Sequence, residues 1–497
     1  MNTVASTLES YRPAMHYACK DTWLNDPNGL VFHDGIYHLY YQNNPFGNVH
    51  SNMSWGHATS TDLVNWEEQP VAIPCDETEE IFSGSIVVDH CNTSGFGDGQ
   101  GAPLVAVYTS AFKPGSAHAG TQAQSIAWST DGGYTWAKYA GNPVLTRNSP
   151  EFRDPKVFRY DGPAGSYWVM AAVEAHDFAV LLYRSDDLKN WEYLSTFGPA
   201  NGTGGIWECP DLFELPLDGD AENPQWVLTV NMNPGGPNGG SAGQYFVGHF
   251  DGVTFRSETT VTEGMQDPER LDDYHWLDWG RDYYAAVSFS NVPNGRRLMI
   301  GWMNNWQYAN EIPTSPWRSP MSLVREVSLA SVDGRPRLVQ QPAPEITAAC
   351  VAGAVQRLAL DGSHAIDGGT AVQLIEVTFT PGTAAEFGLV VRGTSDGTTG
   401  TRISIRPGSG ELVVDRTRSG EVSFHEAFPS VSTAPLQADD GSYSLRIFVD
   451  HCSVEVFAQG GLVTLTELIF PDPGNSSITL FSDGGPTDAS LRLTDLG

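Results

Sequence analysis

Turn-forming residues interrupt the chain along its whole length and leave only short apolar runs between them. There are 52 Gly and 32 Pro among the 497 residues, scattered without a period. Residues 29–41, GLVFHDGIYHLYY, show the unit that results, two strand-like runs around a His-Asp-Gly turn. The apolar runs are far shorter than the roughly 20 residues that a membrane helix needs. The sequence therefore predicts an all-β fold without a membrane partner.

Three segments repeat a Ser, an early Asp and a closing Trp, which indicates a repeated structural unit. They are STDLVNW at 60–66, STDGGYTW at 129–136 and SDDLKNW at 185–191. Their spacing is long for one four-stranded blade but compatible with blades that carry inserted loops. The pattern favours a β-propeller of four to six blades. The alternative is three independent Asp-turn hairpins in an unrelated β fold.

The composition changes around residues 331–350, SVDGRPRLVQQPAPEITAAC, where Pro is frequent and large apolar residues are few. This stretch is typical of a connector. Beyond it, period-2 runs such as VEVF at 454–457 recur at wider intervals, as in a β-sandwich. We therefore predict a propeller over residues 1–335, a linker over 336–350 and a β-sandwich over 351–497. The sandwich is expected either to brace the propeller or to contribute to a homodimer contact.

The charge balance narrows the class of ligand. Fifty-nine Asp and Glu against 27 Lys and Arg give a formal net charge of −32. Binding to nucleic acid or to an anionic membrane depends on clustered cations, so neither is an expected partner. The 13 His are dispersed and none of the six Cys forms a CxxC pair, so no metal site and no cofactor are expected. The preferred ligand is therefore neutral or cationic.

Three carboxylates stand among Pro, Gly, Trp or Arg neighbours that a solvated surface acid does not need. They are Asp26 in WLNDPNG, Asp154 in FRDP and Glu208 in WECPD. Glycosyl transfer by the retaining route needs an ionised nucleophile and a protonated acid. Asp26 lies among amides that stabilise an anion, whereas Trp207 and Cys209 flank Glu208 and would desolvate it. We therefore expect Asp26 as nucleophile and Glu208 as acid/base; the alternative is ordinary turns and an ordinary ion pair.

Longer motifs around these residues resemble glycoside hydrolase family 32, the invertases, inulinases and levanases, almost from end to end. The matching pieces are WLNDPNG at 23–29, YHLYYQNNPFG at 37–47, SWGHATSTDLVNWEEQPVAI at 54–73, FSGS at 82–85, FRDPKVF at 152–158, WECPDLF at 207–213, GWMNNWQY at 301–308, PWRSPMSLVRE at 316–326 and FVDHCSVEVF at 448–457. Several separate motifs in the same order make the resemblance specific.

The resemblance implies a five-bladed β-propeller with a funnel-shaped site at its axis, followed by a β-sandwich. It makes Asp26 the nucleophile, Glu208 the acid/base and Asp154 the transition-state stabiliser that holds ring hydroxyls of a fructosyl unit. The residues that it places around this unit are Asn25, Gln42, Trp55, Phe82, Ser83, Arg153, Asp278 and Trp306. His50 occupies a rim position where similar fungal exo-inulinases carry Trp, which either changes how the leaving chain or acceptor is held or is neutral drift.

The resemblance also implies a reaction, in which Asp26 attacks a fructoside and a fructosyl-Asp intermediate is discharged to an acceptor. Water as acceptor makes an exo-acting fructan β-fructosidase, and a sugar hydroxyl makes a fructosyltransferase. The whole chain is similar to bacterial levan fructotransferases, so we expect cleavage of β-2,6 fructan with release of a difructose dianhydride. The substrate is then a neutral fructan or a sucrose-type sugar, and a polymeric substrate implies a secreted enzyme.

Two other functions fit parts of the pattern. Residues 129–136 satisfy the Asp box of sialidases, but a sialidase needs converging arginines and the chain shows no such cluster. A non-catalytic glycan-binding propeller needs no pair of nucleophile and acid, so the three acids in their motifs argue against it.

Overall fold

The computed structural model describes residues 9–163, 165–261, 268–394 and 397–497. Strands dominate these residues. The helices among them are short 3-10 segments at Ala175–Asp177, Pro268–Asp273, Pro293–Gly295, Pro344–Thr347 and Gln459–Gly461. None of the described helices has the length and apolar character needed to cross a bilayer. The predicted all-β class is confirmed.

Antiparallel meanders of strands form the first blades of the N-terminal domain. Blade one contains β1 (Trp23–His33), β2 (Ile36–Asn44), β3 (Ser54–Ser60) and β4 (Glu67–Ile73). Blade two contains β5 (Glu79–Val88), β6 (Leu104–Phe112), β7 (Gln122–Ser129), β8 (Ala137–Lys138) and β9 (Leu145–Ser149), which also pairs with β7. Blade three contains β10 (Phe152–Gly162), β11 (Gly165–Glu174), β12 (Ala179–Ser185) and β13 (Glu192–Phe197).

Two further blades close the propeller. Blade four contains β14 (Ile206–Leu217), β15 (Asp220–Asn233), β16 (Ala242–Phe250) and β17 (Phe255–Ser257). Blade five contains β18 (Tyr284–Ser288), β19 (Leu298–Trp302), β20 (Arg325–Val332) and β21 (Arg335–Pro342), and one parallel pair, Leu217 with Leu329, links it to blade four. The first strands of the blades contact one another in the order β1, β5, β10, β14 and β18, and β18 contacts β1 again. This closed ring of inner strands confirms the five-bladed propeller.

The repeated Ser-Asp-Trp segments occupy the same place in three blades, directly after the third strand. In each, the Ser hydroxyl donates to the Asp carboxylate, at 3.0 Å for Ser60, 2.7 Å for Ser129 and 3.1 Å for Ser185. The closing Trp donates its indole N–H to a backbone carbonyl three residues earlier. Backbone N–H groups of the same turns bind each Asp. The segment that fits a sialidase Asp box is therefore a structural turn.

The remaining strands form a β-sandwich around one long ribbon. Its strands are β22 (Gln356–Ile366), β23 (Gln373–Pro381), β24 (Glu386–Gly393), β25 (Thr401–Arg406), β26 (Glu411–Asp415), β27 (Val431–Pro435), β28 (Tyr443–Val449), β29 (Ser453–Ala458), β30 (Val463–Leu468) and β31 (Ser477–Asp495). The 19-residue β31 pairs with β24 through its first part and with β23 through its second part. Because β22 follows β31 along both parts, this ribbon crosses between the two sheets and joins them.

Ordered structure covers much of the predicted linker. β21 extends to Pro342 as the outer strand of blade five, and a 3-10 segment, Pro344–Thr347, follows it. Pro336 and Pro342 are tolerated in β21 because an edge strand leaves one row of N–H groups unpaired. The domain boundaries at 335 and 351 stay a prediction.

Buried ion pairs join the propeller to the sandwich. Arg325 on β20 lies 2.6 Å from Glu455 of the sandwich and 2.9 Å from Asp278 of the propeller. The His16 imidazole lies between Asp450, at 2.7 Å, and Glu455, at 2.9 Å. These side chains are almost completely excluded from solvent. Because a single charge left there without its partner is strongly unfavourable, the contact depends on both domains.

Candidate active site

Irregular pairing marks the inner strands at one end of the propeller. Each of the five shifts register early in the strand, between residues 24 and 27, 82 and 84, 153 and 156, 208 and 211, and 284 and 287. A bulge re-aims its side chain relative to the regular alternation of the strand. Asp154, Cys209 and Ala285 have φ of 62°, 45° and 52° at these shifts. Such left-handed residues are strained, and strain of this kind clusters at functional sites.

Asp26 is held by two neighbours near the start of β1. Its carboxylate accepts hydrogen bonds from the Asn25 amide at 3.0 Å and from the Ser83 hydroxyl at 2.9 Å. Asn25 is itself fixed by the indole N–H of Trp23 at 2.7 Å. These bonds match the polar surroundings that the sequence predicted. Burial nevertheless raises the pKa of Asp26 against the lowering effect of its hydrogen bonds, because desolvation disfavours the anion.

Asp154 lies deeper, with 5% of its side chain exposed. Its backbone N–H donates to the Thr109 hydroxyl at 2.9 Å, and its carboxylate accepts the backbone N–H of Cys209 at 2.9 Å. Burial raises the pKa of Asp154 to about 7; Arg153 opposes this rise and the charge of Glu208 adds to it. Asp154 therefore gives up its proton only near neutral pH.

Glu208 is more open, with 19% of its side chain exposed, and its contacts are polar. Arg153 lies 3.3 Å from one carboxylate oxygen, and the Tyr284 hydroxyl donates to the other at 2.5 Å. The prediction that Trp207 and Cys209 desolvate Glu208 is wrong. Trp207 and Glu208 point to opposite faces of β14, and Cys209 lies at the register shift, where its thiol is turned elsewhere. Trp207 packs into the core, and the Cys209 thiol faces the other two carboxylates.

Two side chains connect the three carboxylates. The Cys209 thiol lies 3.6 Å from Asp26 and 3.8 Å from Asp154. The Arg153 guanidinium lies 3.8 Å from Asp154 and 3.3 Å from Glu208. Acids from blades one, three and four therefore meet at one end of the propeller axis. Neighbouring carboxyls titrate as a group, so such a cluster can hold an ionised oxygen for attack beside a proton for donation.

The predicted pocket residues of blades one and two lie both in and behind the pocket wall. Phe82 is half-buried at the register shift of β5, next to Ser83. Gln42 donates its amide to the carbonyl of Ile81 at 3.0 Å, and Trp55 donates its indole N–H to the carbonyl of Phe82 at 3.0 Å. Trp55 is completely buried. It therefore supports β5 from behind and offers no ring face to a ligand, which corrects its predicted role.

An aromatic cluster lies beside Asn25 and forms part of the rim. The rings of Trp306 and Trp23 stack with centroids 6.1 Å apart, and the imidazole of His50 meets Trp306 edge-on at 5.0 Å. Trp302 packs against Trp306 at 4.8 Å. Because Trp23 fixes Asn25 and Asn25 binds Asp26, this cluster is connected to the carboxylates. His50 is exposed, and its role in holding the leaving chain or acceptor stays a prediction.

Asp278 lies outside this group, which corrects its predicted place in the pocket. Its carboxylate accepts hydrogen bonds from Arg325 at 2.9 Å and from the Thr466 hydroxyl at 2.8 Å. The backbone N–H groups of Gly280 and Thr466 bind its other oxygen. Both oxygens are therefore engaged at the contact with the sandwich. The resemblance implied a pocket position for Asp278, and the sequence does not show that its partner Thr466 lies in the other domain.

Sequence reasoning missed three residues that hold the carboxylates in place. The Tyr284 hydroxyl binds Glu208, the backbone N–H of Cys209 binds the carboxylate of Asp154, and the Thr109 hydroxyl accepts the backbone N–H of Asp154. Tyr284 is the first residue of β18. The three acids also lie near the starts of inner strands, and this shared position is the signal that could have identified Tyr284. The described part of the chain contains no cluster of three or more side chains able to bind a metal ion.

Comparison with protein families and characterised proteins agrees with this arrangement. The glycosyl hydrolases family 32 N-terminal domain matches residues 16–342, and the family 32 C-terminal domain matches residues 347–495. A levanase of Bacillus subtilis is 44% identical over 98% of this chain and 71% of the levanase. An extracellular exo-inulinase of Aspergillus niger is 42% identical over 97% of this chain and 93% of the inulinase.

Solved structures show the same architecture. The exo-inulinase from Aspergillus awamori has a TM-score of 0.92 at 39% identity, with 98% of both chains covered. A β-fructofuranosidase from Schwanniomyces occidentalis, complexed with fructosyl-erythritol, has a TM-score of 0.85 at 32% identity, with 98% of both chains covered. Both family domains match in order, over the propeller that gathers the three acids and over the sandwich behind it, and so the chain belongs to glycosyl hydrolase family 32.

Proposed function

We propose that the protein is an exo-acting β-fructosidase that releases fructose from a neutral fructan or a sucrose-type sugar. The observation that carries this proposal is the junction of the three carboxylates through Cys209 and Arg153. A retaining glycosidase needs two of these acids in different environments, one as nucleophile and one as proton donor. The relatives support the substrate class, since their names refer to levan, inulin and fructofuranosides.

In the first step, Glu208 donates its proton to the bridging oxygen of the glycoside, and Asp26 attacks the anomeric carbon of the fructosyl unit. The bond to Asp26 forms as the bond to the leaving oxygen breaks. The open position of Glu208 suits this role, because the leaving group departs toward solvent. Asp154 holds ring hydroxyls of the sugar in the transition state, and Asn25 and Ser83 keep the Asp26 oxygens oriented.

In the second step, water gives its proton to Glu208 while its oxygen displaces Asp26 from the sugar, which restores both carboxyl groups. Glu208 is negative between the two steps. Arg153 and Tyr284 contact its oxygens at 3.3 Å and 2.5 Å and can compensate this charge. Both side chains are thereby assigned positioning roles.

The expected levan fructotransferase stays a prediction. Hydrolysis and transfer share the fructosyl-Asp26 intermediate and differ only in the acceptor. The levanase and the exo-inulinase support hydrolysis, and the extracellular exo-inulinase supports the proposal that this enzyme is secreted. A homodimer also stays a prediction. The acceptor would contact the rim at His50 and Trp306, so these residues affect whether water or a sugar hydroxyl accepts the fructosyl unit.

Incubation of the full chain with levan, inulin and sucrose tests the proposal, with chromatography of the products and NMR of the first anomer released. We expect free fructose with retained configuration. A cyclic difructose product would identify the transferase instead, and unchanged sugars would favour the glycan-binding propeller. The Glu208→Gln variant, purified in parallel, controls for contaminating hydrolases.

A further inference from the structure

One side chain of the active-site rim is carried by a connection rather than by a strand. Residues 303–310, here named the rim turn, lie between β19 and β20 and include Trp306. The Trp306 ring is half-buried, stacks on Trp23 and meets His50 edge-on at 5.0 Å. Because a connection lacks the hydrogen-bond ladder of a strand, the position of Trp306 depends on the other contacts that hold the rim turn.

Polar side chains hold the rim turn on the propeller. Asn305 is completely buried, and its amide N–H donates to the carbonyl of Arg281 at 2.7 Å. The amide oxygen of Asn305 accepts the backbone N–H of Gln307 at 3.1 Å. The backbone N–H of Trp306 donates to the Ser241 hydroxyl at 3.1 Å. Since the Arg281 guanidinium also binds the Gln307 side chain, the residues on both sides of Trp306 are held by Arg281.

The Tyr308 hydroxyl joins the rim turn to the sandwich. It donates to Asp282 at 2.6 Å and accepts a guanidinium N–H of Arg416, which directly follows β26, at 2.8 Å. Arg416 lies 2.8 Å from Glu467 on β30, and its guanidinium lies 4.0 Å from the centre of the Phe428 ring. Tyr308 and Arg416 are both buried. A hydroxyl between a charged donor and a charged acceptor is held in one position, because charge-assisted bonds are strong and directional.

Strand β30 of the sandwich also binds the propeller residues that hold the rim turn. The backbone N–H of Asp282 donates to the carbonyl of Thr466 at 3.1 Å. The backbone N–H of Arg281 donates to the Glu467 carboxylate at 3.3 Å. The backbone N–H of Leu468 donates to the Asp282 carboxylate at 2.8 Å. Arg281 and Asp282 therefore bind the rim turn on one side and a strand of the sandwich on the other.

We propose that the sandwich positions Trp306 at the rim of the active site, with Arg416 and Tyr308 as positioning residues. A sandwich that only braced the propeller could do so by apolar packing, which is non-directional. Here directional bonds lead from Arg416 into the rim turn, and Tyr308 lies two residues from Trp306.

The effect on turnover rests on the proposed function, because there the leaving group and the acceptor contact Trp306. A displaced ring would weaken binding of the sugar beyond the fructosyl unit. The reacting carboxylates keep their own partners, such as Ser83 for Asp26 and Tyr284 for Glu208. Loss of the positioning contacts should therefore raise KM more than it lowers kcat.

Kinetics of three variants on sucrose test the proposal. Tyr308→Phe deletes the hydroxyl, and Arg416→Lys keeps the positive charge but lacks the guanidinium fork that reaches two carboxylates and the hydroxyl. Thr464→Val is the matched control, because it deletes another buried hydroxyl of the same interface, which donates to the carbonyl of Leu277 at 3.0 Å. We expect KM to rise about 3- to 10-fold in the first two variants with kcat within about twofold of the wild type. The control changes neither value. Thermal unfolding verifies each fold, and Tyr308→Phe decides the test if Arg416→Lys does not fold.

Fluorine NMR of the full chain labelled with fluorotryptophan reports on the ring without turnover, and the Trp306→Phe variant identifies the Trp306 resonance. We expect this resonance to shift in Tyr308→Phe and in Arg416→Lys and to stay in place in Thr464→Val. An unshifted resonance with unchanged KM in Tyr308→Phe, or an equal rise of KM in Thr464→Val, would overturn the proposal. A wild-type protein that releases no product from any fructoside would contradict the proposed function instead, and the fluorine resonance would still test the link between the sandwich and the rim.

Discussion

Cys209 shows how single residues decide the geometry of the site. Its backbone N–H binds Asp154, its thiol contacts two carboxylates, and its carbonyl accepts the Asn231 amide at 3.0 Å. The motif WECPD was enough to single out Glu208. It could not show where Cys209 points, because that depends on the register shift between β14 and β15. The three acids and their neighbours Asn25, Ser83 and Arg153 could therefore be named from the sequence, whereas the contacts of Cys209, Tyr284 and Thr109 could not.

Removal of either proposed reacting carboxylate should abolish turnover. Asp26→Asn removes the nucleophile and Glu208→Gln removes the proton donor, so we expect kcat on sucrose to fall by about 10³-fold or more in each variant. Fructose release measures the activity, and circular dichroism verifies the fold. Tyr193→Ala is a suitable control, because Tyr193 lies on β13 with 57% of its surface exposed. Activity near the wild-type level in either variant would contradict the assignment.

The raised pKa of Asp154 predicts an alkaline limit of activity. Burial, opposed by Arg153 and assisted by the charge of Glu208, raises the pKa of Asp154 to about 7, so Asp154 keeps its proton below this pH and loses it above. Carboxyls this close share protons. Since the first step needs a proton from this cluster, we expect kcat/KM on sucrose to decline above about pH 7 by roughly tenfold per unit. A pH–rate profile measures this, with intrinsic fluorescence at each pH to exclude unfolding. A flat profile to pH 9 would show that Asp154 does not share its proton with the reaction.

The inner strands combine a regular repeat with an irregular start. Their order around the axis follows from blade repeats that the sequence displays, as at Ser60, Ser129 and Ser185. The register shifts leave no comparable signal, because residues with positive φ such as Ala285 are not of the types that favour it. The repeated blades were therefore predictable, and the shape of the strand ends was not.

Two substitutions of Ala285 test whether the strained start of β18 affects stability and turnover. Ala285→Gly fits the φ of 52°, so we expect a free energy of unfolding within about 1 kcal/mol of the wild type. Ala285→Val places a β-branched residue in the same conformation and should destabilise by about 1–3 kcal/mol. It should also reduce kcat, because Tyr284 directly precedes it and binds Glu208. Urea unfolding and sucrose kinetics measure both effects, and equal stability of the two variants would refute the argument.

At the scale of the whole molecule, buried charges bind the two domains to each other. Arg416 of the sandwich, for example, binds Asp282 of the propeller and lies 2.8 Å from Glu467 of its own domain. Together with Arg325 and His16, it adds paired ions to an interface that also contains buried apolar side chains from both domains. The resemblance implied a place for Asp278 in the pocket, but the structure engages Asp278 in long-range pairs of this kind at the contact with the sandwich. Removing one partner of such a pair should lower the free energy of unfolding by more than the whole pair contributes to it.

His16 should make stability depend on pH. Burial lowers the pKa of His16, but the hydrogen bonds and charges of Asp450 and Glu455 outweigh it and raise the pKa to about 9 from the usual 6.5. The folded state therefore favours the charged form of His16. The contribution of His16 to the free energy of unfolding, about 3 kcal/mol, is complete below pH 6.5 and is lost as the pH rises through 9. We expect His16→Gln to destabilise strongly at pH 6 and much less at pH 9.5. Urea unfolding at both values measures this, with the exposed His118→Gln as control; an equal loss at both would contradict the assignment.

The position of β31 in both sheets affects how the protein can be made. At about 5–20 residues per second, synthesis of the roughly 155 residues after β21 takes about 8–30 s. During this time Arg325 and Asp278 have been translated, but the sandwich that surrounds them is incomplete until β31 has left the ribosome. A nascent chain therefore carries a finished propeller sequence in which Arg325 and Asp278 still lack their partners Glu455 and Thr466, and chaperones that shield such surfaces would act longest on this stage of its biogenesis.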